Sequence, residues 1–309
     1  MKIILYLDKT TDKRIIEADR AWREFLMLKL SHCDGFDCGC DPPTTNISEC
    51  DISINFGVYC KSKHERSIHR KQLHDLQKEL NHGILIYEVG FLNRSNFYSV
   101  GWNDIVGHGY YHTHNMPPDR WNKLGLTVKP NRINKSGYIL LCGQLPWDTQ
   151  LQHIDYIKWI NGLIKKIRTC SSRKIVFRNH PDISTKHNNI IKGDFDNLSI
   201  SKNKELCEDF KGAYVVVAFN SNSLLNAVID GLPIFALDEG SMVYSIANTL
   251  IENIENPQFP DENQKLQTLY NIAYSQWSLD EIKTGACWDH IYMGYQQSKE
   301  LRKNPTRII

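Results

Sequence analysis

Residues 213–219 read Ala-Tyr-Val-Val-Val-Ala-Phe, an uninterrupted apolar run. It is far shorter than the roughly 20 residues a membrane-spanning helix needs, and it reads as a buried strand. Asn-Ser-Asn-Ser and then a helical pattern follow it directly. Strand candidates of the same kind recur through the second half: "GYILLCGQ", "KIVF", a short "LSIS" and "LPIFALD". A helix over 151–168, with apolar residues every three or four positions, lies between the first two. Strands that alternate with helices pair in parallel, so this half is an α/β sheet.

The first half repeats the scheme. "KIILYL" leads to a helix over 13–30, "CDISINFG" to a polar helix over 65–80, and "GILIYEVG" closes the set. A Cys/Pro-rich loop, "HCDGFDCGCDPPTT", separates the first helix from the second strand. Residues 93–135 are rich in Gly, Asn, His, Pro and Trp and read as loops ending in a linker; from Asp261 on the chain reads as helical. A chain of 309 residues is comfortable for two domains. The expected division is 1–134 and 135–309, the second with a helical C-terminus. The expected fold class is α/β, two Rossmann-like domains facing across a cleft.

In such sheets ligands sit beyond the carboxyl ends of the strands, and four strand ends in the second half carry polar residues. They are Gly143 and Gln144; Arg178 and His180; Asn220, Ser221, Asn222 and Ser223; and Asp238, Glu239, Gly240 and Ser241. Small hydroxyl and amide residues between a buried strand and a helix cap the helix and leave backbone N–H groups for a phosphate. Arg178 and His180 would add charge to that phosphate. Asp238 and Glu239 suit ribose or sugar hydroxyls. Each of these residues also has an ordinary structural use; their coincidence on one sheet edge is what points to a nucleotide carrier.

The order strand, "HP", strand, "NSNS", helix, "GLP", strand resembles the nucleotide-sugar half of GT-B glycosyltransferases, near the capsule-type Kdo transferases and the bacterial sialyltransferases. Those families carry an acidic-x-Gly motif, an HP motif and a Ser-rich motif; here these are Glu88–Gly90, His180–Pro181 and Ser221–Ser223. The blocks "NMPPDRWNKLGL", "LLCGQLPWD", "VFRNHPD", "FNSNSLLNAVIDGLPIFALDEGSM" and "AYSQWSLDEIKTG" look like a group of phage-encoded glycosyltransferases, from about Gly83 to the C-terminus. The resemblance implies a GT-B fold, with an acceptor-binding domain over 1–134 and a nucleotide-sugar-binding domain over 135–309, and a transferase moving a sugar, UDP-glucose being the favoured donor, to a hydroxymethylated pyrimidine in phage DNA. Val89 stands where sialyltransferases often have a second acid, and Ser-Asn-Ser replaces a serine pair. Both departures argue against a CMP-sugar. The alternatives are a CMP-sugar-dependent Kdo- or sialic-acid-type transferase acting on a glycan, and a non-catalytic nucleotide- or DNA-binding protein.

Sugar transfer needs a base for the acceptor hydroxyl and stabilisation of the departing phosphate. Glu88 is the candidate base, and His180 is the second catalytic candidate. No Asp-x-Asp donor motif is evident, so neither a metal nor a cofactor is expected. Cys33, Cys38, Cys40 and Cys50 lack paired C-x2-C knuckles, and His108, His112 and His114 lie in an aromatic, polar loop; neither group is read as a metal site. The nine cysteines are scattered and odd in number, which suits reduced thiols.

The net charge of +2 does not announce a nucleic-acid binder. The segment Lys61–His74 is nonetheless basic, and as a helix it would place Lys63, Arg66 and Arg70 on one face, with Lys71 at its edge and Lys61 just before it. Trp102, Tyr111 and His112 are the aromatic candidates for stacking on a flipped base or a sugar acceptor. The expected partners are therefore a nucleotide sugar and duplex DNA, with no membrane. The segment 1–7 is too short for a signal-peptide core and runs into "DKTTDKR", so a cytoplasmic location is expected, in the infected host cell for a phage protein.

Overall fold

The computed structural model describes residues 1–41, 47–59, 65–183 and 190–303. Lys61 and Lys63 lie outside the described residues. The chain divides into two compact units, one of residues 1–124 with 269–309 and the other of residues 125–268.

The first unit is built on a six-stranded sheet. Its strands in chain order are β1 (Lys2–Tyr6), β2 (Asp37–Asp41), β3 (Ile52–Phe56), β4 (Gly83–Val89), β5 (Tyr98–Trp102) and, after the second unit, β11 (Gln276–Trp277). Spatially the order is β11-β5-β4-β3-β1-β2. Strands β1 to β4 pair in parallel, whereas β5 runs antiparallel to β4 and β11 antiparallel to β5. Alternation along β1 sets the two faces. Ile3 and Leu5 join a core with Trp22, Phe25 and Leu26 of α1 (Lys13–Leu28). Ile4 and Tyr6 pack on the other face with Leu73 of α2 (Glu65–Glu79). Asp12 caps α1 by accepting the Arg14 N–H at 2.9 Å. A short α3 (Asp119–Lys123) precedes the second unit.

The second unit holds a five-stranded, fully parallel sheet of β6 (Tyr138–Cys142), β7 (Ile175–Arg178), β8 (Leu198–Ile200), β9 (Ala213–Ala218) and β10 (Ile234–Ala236), in the order β10-β9-β6-β7-β8. The run that reads as a buried strand is β9, next to the central β6, and every one of its residues is buried. On one face α4 (Tyr156–Cys170) sets Tyr156, Ile160, Leu163, Ile164 and Ile167 against Ile139, Leu141, Phe177, Val215 and Val217. Asp155 caps α4 through the Lys158 N–H. The helices α5 (Leu206–Gly212) and α6 (Ser223–Ile229) complete the unit, and α6 packs on β9 and β10.

Three expectations about organisation are corrected. The boundary falls at 124/125 rather than 134/135. Lys129 and Arg132 both pair with Asp230, and their backbone N–H groups bond Ile229 and Gly231, so the expected linker is part of the second unit. The C-terminal residues return to the first unit: after α7 (Glu262–Tyr274) come β11, α8 (Leu279–Thr284), α9 (Ala286–Met293) and α10 (Tyr295–Lys303). Ile282, Cys287, Trp288, Ile291 and Tyr295 enter the same core as α1, because that face of the sheet would otherwise be open to water. Finally, β2 lies inside the expected Cys/Pro-rich loop, and β5 and α3 inside the expected linker region.

Candidate functional site

In the second unit the polar residues at three adjacent strand ends form one hydrogen-bonded chain. Gln144, after β6, is buried; its amide donates to Asn220 Oδ1 at 2.9 Å and accepts the Asn220 N–H at 3.2 Å. Asn220, after β9, donates from Nδ2 to Asp238 Oδ1 at 2.8 Å, after β10. The same oxygen takes the Gly240 N–H at 2.9 Å, which folds the "DEGS" turn. Asp238 Oδ2 lies 3.9 Å from His153 Nε2, a residue the strand-end argument did not single out. Ser241 is buried and its hydroxyl accepts the Val243 N–H; Glu239 is exposed. Parallel pairing of β6, β9 and β10 brings these residues together, each standing two positions past the end of its strand on the same edge.

At the start of α6 the Ser221 hydroxyl accepts both the Ser223 N–H, at 3.3 Å, and the Ser223 hydroxyl, at 3.0 Å. Asn222 occupies the capping position without a side-chain cap bond. His180 Nδ1 accepts the Asp182 N–H at 3.2 Å. Nδ1 also lies 3.8 Å from Asp182 Oδ2, and with Nδ1 engaged on this side the ring can donate from Nε2, as a phosphate oxygen needs.

Two expected donor ligands have structural uses instead. Arg178 gives Nη1 to the buried Asp209 at 2.6 Å and to the Asn203 carbonyl at 3.0 Å, and Nη2 to the Lys204 carbonyl at 2.8 Å. Its charge is committed to the connection between β8 and α5. Gly143 is a glycine for packing: a Cβ there would lie 2.6 Å from the Phe177 ring.

The first unit gathers carboxylates at the corresponding strand ends. Glu88 stands near the end of β4, with Oε1 accepting the Val89 N–H at 2.9 Å. Gly90, the glycine of the acidic-x-Gly motif, is required because a Cβ would come within 2.7 Å of the Phe97 carbonyl across the β4–β5 turn. Asp8, just past β1, pairs with Arg70. Asp19 of α1 is buried, accepts the Tyr87 hydroxyl and takes the Asp8 N–H at 3.4 Å. Asp8 and Asp19 were missed in the sequence, although Asp8 ends its strand just as the polar residues of the second unit end theirs.

Burial pushes the Asp19 carboxyl up to about 6, against the opposing effect of the Tyr87 hydrogen bond. With a folded value above the unfolded one, Asp19 contributes stability below about pH 4 that is lost as pH rises through about 6. Asp19→Asn is expected to remove that decline, on the order of 2–3 kcal/mol across the window. Urea unfolding of both proteins at closely spaced pH values measures it; parallel curves would refute the assignment.

Of the expected DNA-binding face, the described side chains are those of Arg70 and Lys71. Arg70 has a side chain only 12% exposed, held by Asp8 and by the Val58 carbonyl at 3.2 Å. Lys71 is exposed but paired with Asp75 one turn on. Arg66 falls within α2, Lys61 and Lys63 outside the described residues. Two of the aromatic candidates, Trp102 and Tyr111, are buried, and His112 is half-buried. Trp102 is fully buried and donates to the Ile291 carbonyl at 2.9 Å. Tyr111 is buried over Gly101 and against Phe91, and His112 packs between Tyr110 and His290. Of the cysteines, Cys38 and Cys40 pack against the core beneath α1 whereas Cys50 packs on the α2 face, so the sheet separates them. Among the described residues no helix is long and apolar enough to cross a membrane.

No family model matches the sequence, and no curated protein matches it. Solved structures do. The KpsC β-Kdo 2,4 transferase of Thermosulfurimonas dismutans matches with a TM-score of 0.53 at 11% identity, over 88% of this chain and 90% of that one. The KpsC β-Kdo 2,7 transferase of the same organism matches with a TM-score of 0.45 at 13% identity, over 95% and 99% of the two chains. The first likeness defines the class of fold: this chain has the α/β architecture of the GT-B glycosyltransferases, as the order of its motifs implies.

Proposed function

We propose that this chain is a glycosyltransferase that takes its sugar from a nucleotide-sugar donor, a UDP-sugar such as UDP-glucose being favoured. The observation that carries the reading is the Gln144–Asn220–Asp238 chain, which joins three strand ends on the ligand edge of a parallel sheet. Ser221 and Ser223 and the His180 Nε2 donor take up the phosphate charge as the bond from anomeric carbon to phosphate oxygen breaks. Glu88 accepts the proton of the acceptor hydroxyl as its oxygen attacks that carbon. Neither step calls on a metal or a cofactor. Asp238, with His153 beside its second oxygen, is assigned to the ribose or sugar hydroxyls.

For the acceptor, support for a hydroxymethylated pyrimidine in duplex DNA is the resemblance of the sequence blocks to phage-encoded transferases. Arg70, Trp102 and Tyr111 no longer contribute to it, since all three are buried or internally paired.

A thermal-shift panel of UDP, UDP-glucose, CMP and a CMP-sugar tests the donor. A ligand at a hundred times its Kd stabilises the folded protein by about 2.7 kcal/mol, so UDP and UDP-glucose are expected to raise Tm clearly. Ser221→Ala with Ser223→Ala should abolish most of that rise without lowering the ligand-free Tm by a comparable amount. A rise with CMP compounds alone selects the CMP-sugar reading, and no rise with any nucleotide overturns the donor assignment. Salt-dependent binding of duplex DNA carrying hydroxymethylcytosine, absent for a glycan acceptor, decides the acceptor.

A further inference from the structure

A glycine, Gly162, stands in the middle of α4, where only proline is a poorer helix residue. Packing does not force it there: a Cβ built on Gly162 would have no heavy atom within 4 Å, so the position faces open space. That space is a groove of about 690 Å³ between α4 and residues 249–252, where the chain enters a one-turn helix (Ile251–Asn253). Its volume is within the range of about 300–1,000 Å³ usual for small-molecule sites. The lining is largely apolar. Trp159 and Leu163 contribute from α4, Leu237 and Ile251 from the other side, and Leu250 is 62% exposed at the rim. Trp159 is held in place by stacking on Tyr156 and by edge contact with Phe219, 4.8 Å between ring centres.

Four charged side chains border the groove, and three are engaged. Asp155 accepts the Lys158 N–H at 3.1 Å as the cap of α4, and Lys166 pairs with Glu252 at 2.6 Å, tying the helix to the one-turn helix opposite. The Lys158 ammonium remains; among the described residues it has no ion pair. Lys158 and Lys166 are separated by about 12 Å along the helix axis, and helix side chains lean toward the N-terminus, which carries Lys158 away from the bridged end. Asn161, whose amide donates to the Ile190 carbonyl at 2.9 Å, is on the opposite flank of α4.

We propose that this groove binds one small amphiphilic anion, an apolar body carrying a carboxylate, sulfonate or phosphate. The apolar body lies over Gly162 between Trp159 and Leu250, and the anionic group meets Lys158. An empty apolar groove would be better served by alanine at 162, which favours the helix and covers the floor; glycine leaves that volume to the ligand. A lone cation at one end and the Lys166–Glu252 bridge at the other suit a single molecule of limited length rather than a membrane surface. Ile154 directly follows His153 and Leu237 directly precedes Asp238, so the groove runs alongside the strand-end chain without using its residues. The proposal does not depend on the sugar-transfer reading.

The probe is anilinonaphthalene sulfonate, an aromatic anion whose fluorescence rises in apolar sites, titrated into the full chain. One saturable site is expected, from which decanoate displaces the dye about three- to fivefold more effectively than decanol, which lacks the charge. Gly162→Leu should weaken dye binding about tenfold or more by filling the groove, while Tm holds or rises because leucine is the better helix former. Lys158→Gln should weaken the dye and decanoate about three- to fivefold and leave decanol unchanged. Undiminished dye binding by Gly162→Leu overturns the proposal, as does the absence of a saturable site. Should Gly162→Leu not fold, unchanged decanoate binding by Lys158→Gln overturns it instead. Displacement of the dye by UDP as effectively as by decanoate would give the groove to the donor. Flotation with phosphatidylglycerol vesicles in the absence of decanoate binding would give it to a lipid surface. Either result also overturns the proposal.

Discussion

Glu88→Gln is expected to lower sugar transfer by about two to four orders of magnitude, the usual worth of a positioned general base. The substitution is nearly isosteric. A glutamine oxygen can still accept the Val89 N–H that now bonds Oε1 at 2.9 Å, so the β4 end keeps its local bond. What disappears is the group that takes the acceptor proton. Stability is expected to change by about 1 kcal/mol or less, since the replacement keeps the side chain's size and makes no cavity. Donor consumption in the presence of acceptor, together with a melting curve, separates these effects. Turnover at the wild-type rate would take Glu88 out of the chemistry.

The largest expected loss of stability lies at Asp209. This carboxylate is 1% exposed and accepts Arg178 Nη1 at 2.6 Å, the Ser201 hydroxyl at 2.7 Å and the Asn203 amide at 2.7 Å. Asp209→Ala strands the Arg178 cation at the end of β7 and leaves two polar side chains without their acceptor. Breaking a buried pair from one side costs about 3–5 kcal/mol, and a fall of that size in the urea unfolding free energy is expected. The companion variant Arg178→Gln should also be destabilised, while the folded protein keeps its nucleotide affinity. Loss of nucleotide binding at unchanged stability would return Arg178 to the donor site, where its position at a strand end first suggested it.

Arg178 and Arg70 show where sequence reasoning reached its limit. Both sit where a functional cation is expected, one at a strand end and the other in a basic helical run, and each is neutralised by an aspartate distant in the chain. Arg70 meets Asp8 from 62 positions away, and Arg178 meets Asp209 from 31. A charge pattern shows that a cation is present on an element. It does not show which way the side chain leaves the helix, because that depends on what the neighbouring element presents. Trp102 was misread for a related reason. Its segment is rich in loop-forming residues, but α9 covers β5 and supplies the Ile291 carbonyl to the indole N–H.

The strand-end polar residues of the second unit were legible because parallel strands, once recognised, must deliver their last residues to one edge. That argument located Gln144, Asn220 and Asp238 with no knowledge of their bonds to one another. It missed His153, which was read as part of a helix over 151–168 but reaches Asp238 from the turn before α4 begins at Tyr156, and Asp8, which was passed over at the end of β1.

The sequence by itself determined the elements and their order: β1, β3, β4, β6, β7, β9 and β10 from apolar runs, and α1, α2 and α4 from helical spacing. These signals are local, written within one or two turns of helix or one strand. Only the tertiary structure decided that the C-terminal helices return to the first unit, that β5 and β11 extend its sheet, and that Arg70 turns inward to Asp8. Each of those outcomes follows from burying an apolar face or a charge against residues tens to hundreds of positions away. The free energy that selects the partner belongs to the pair and not to either segment alone.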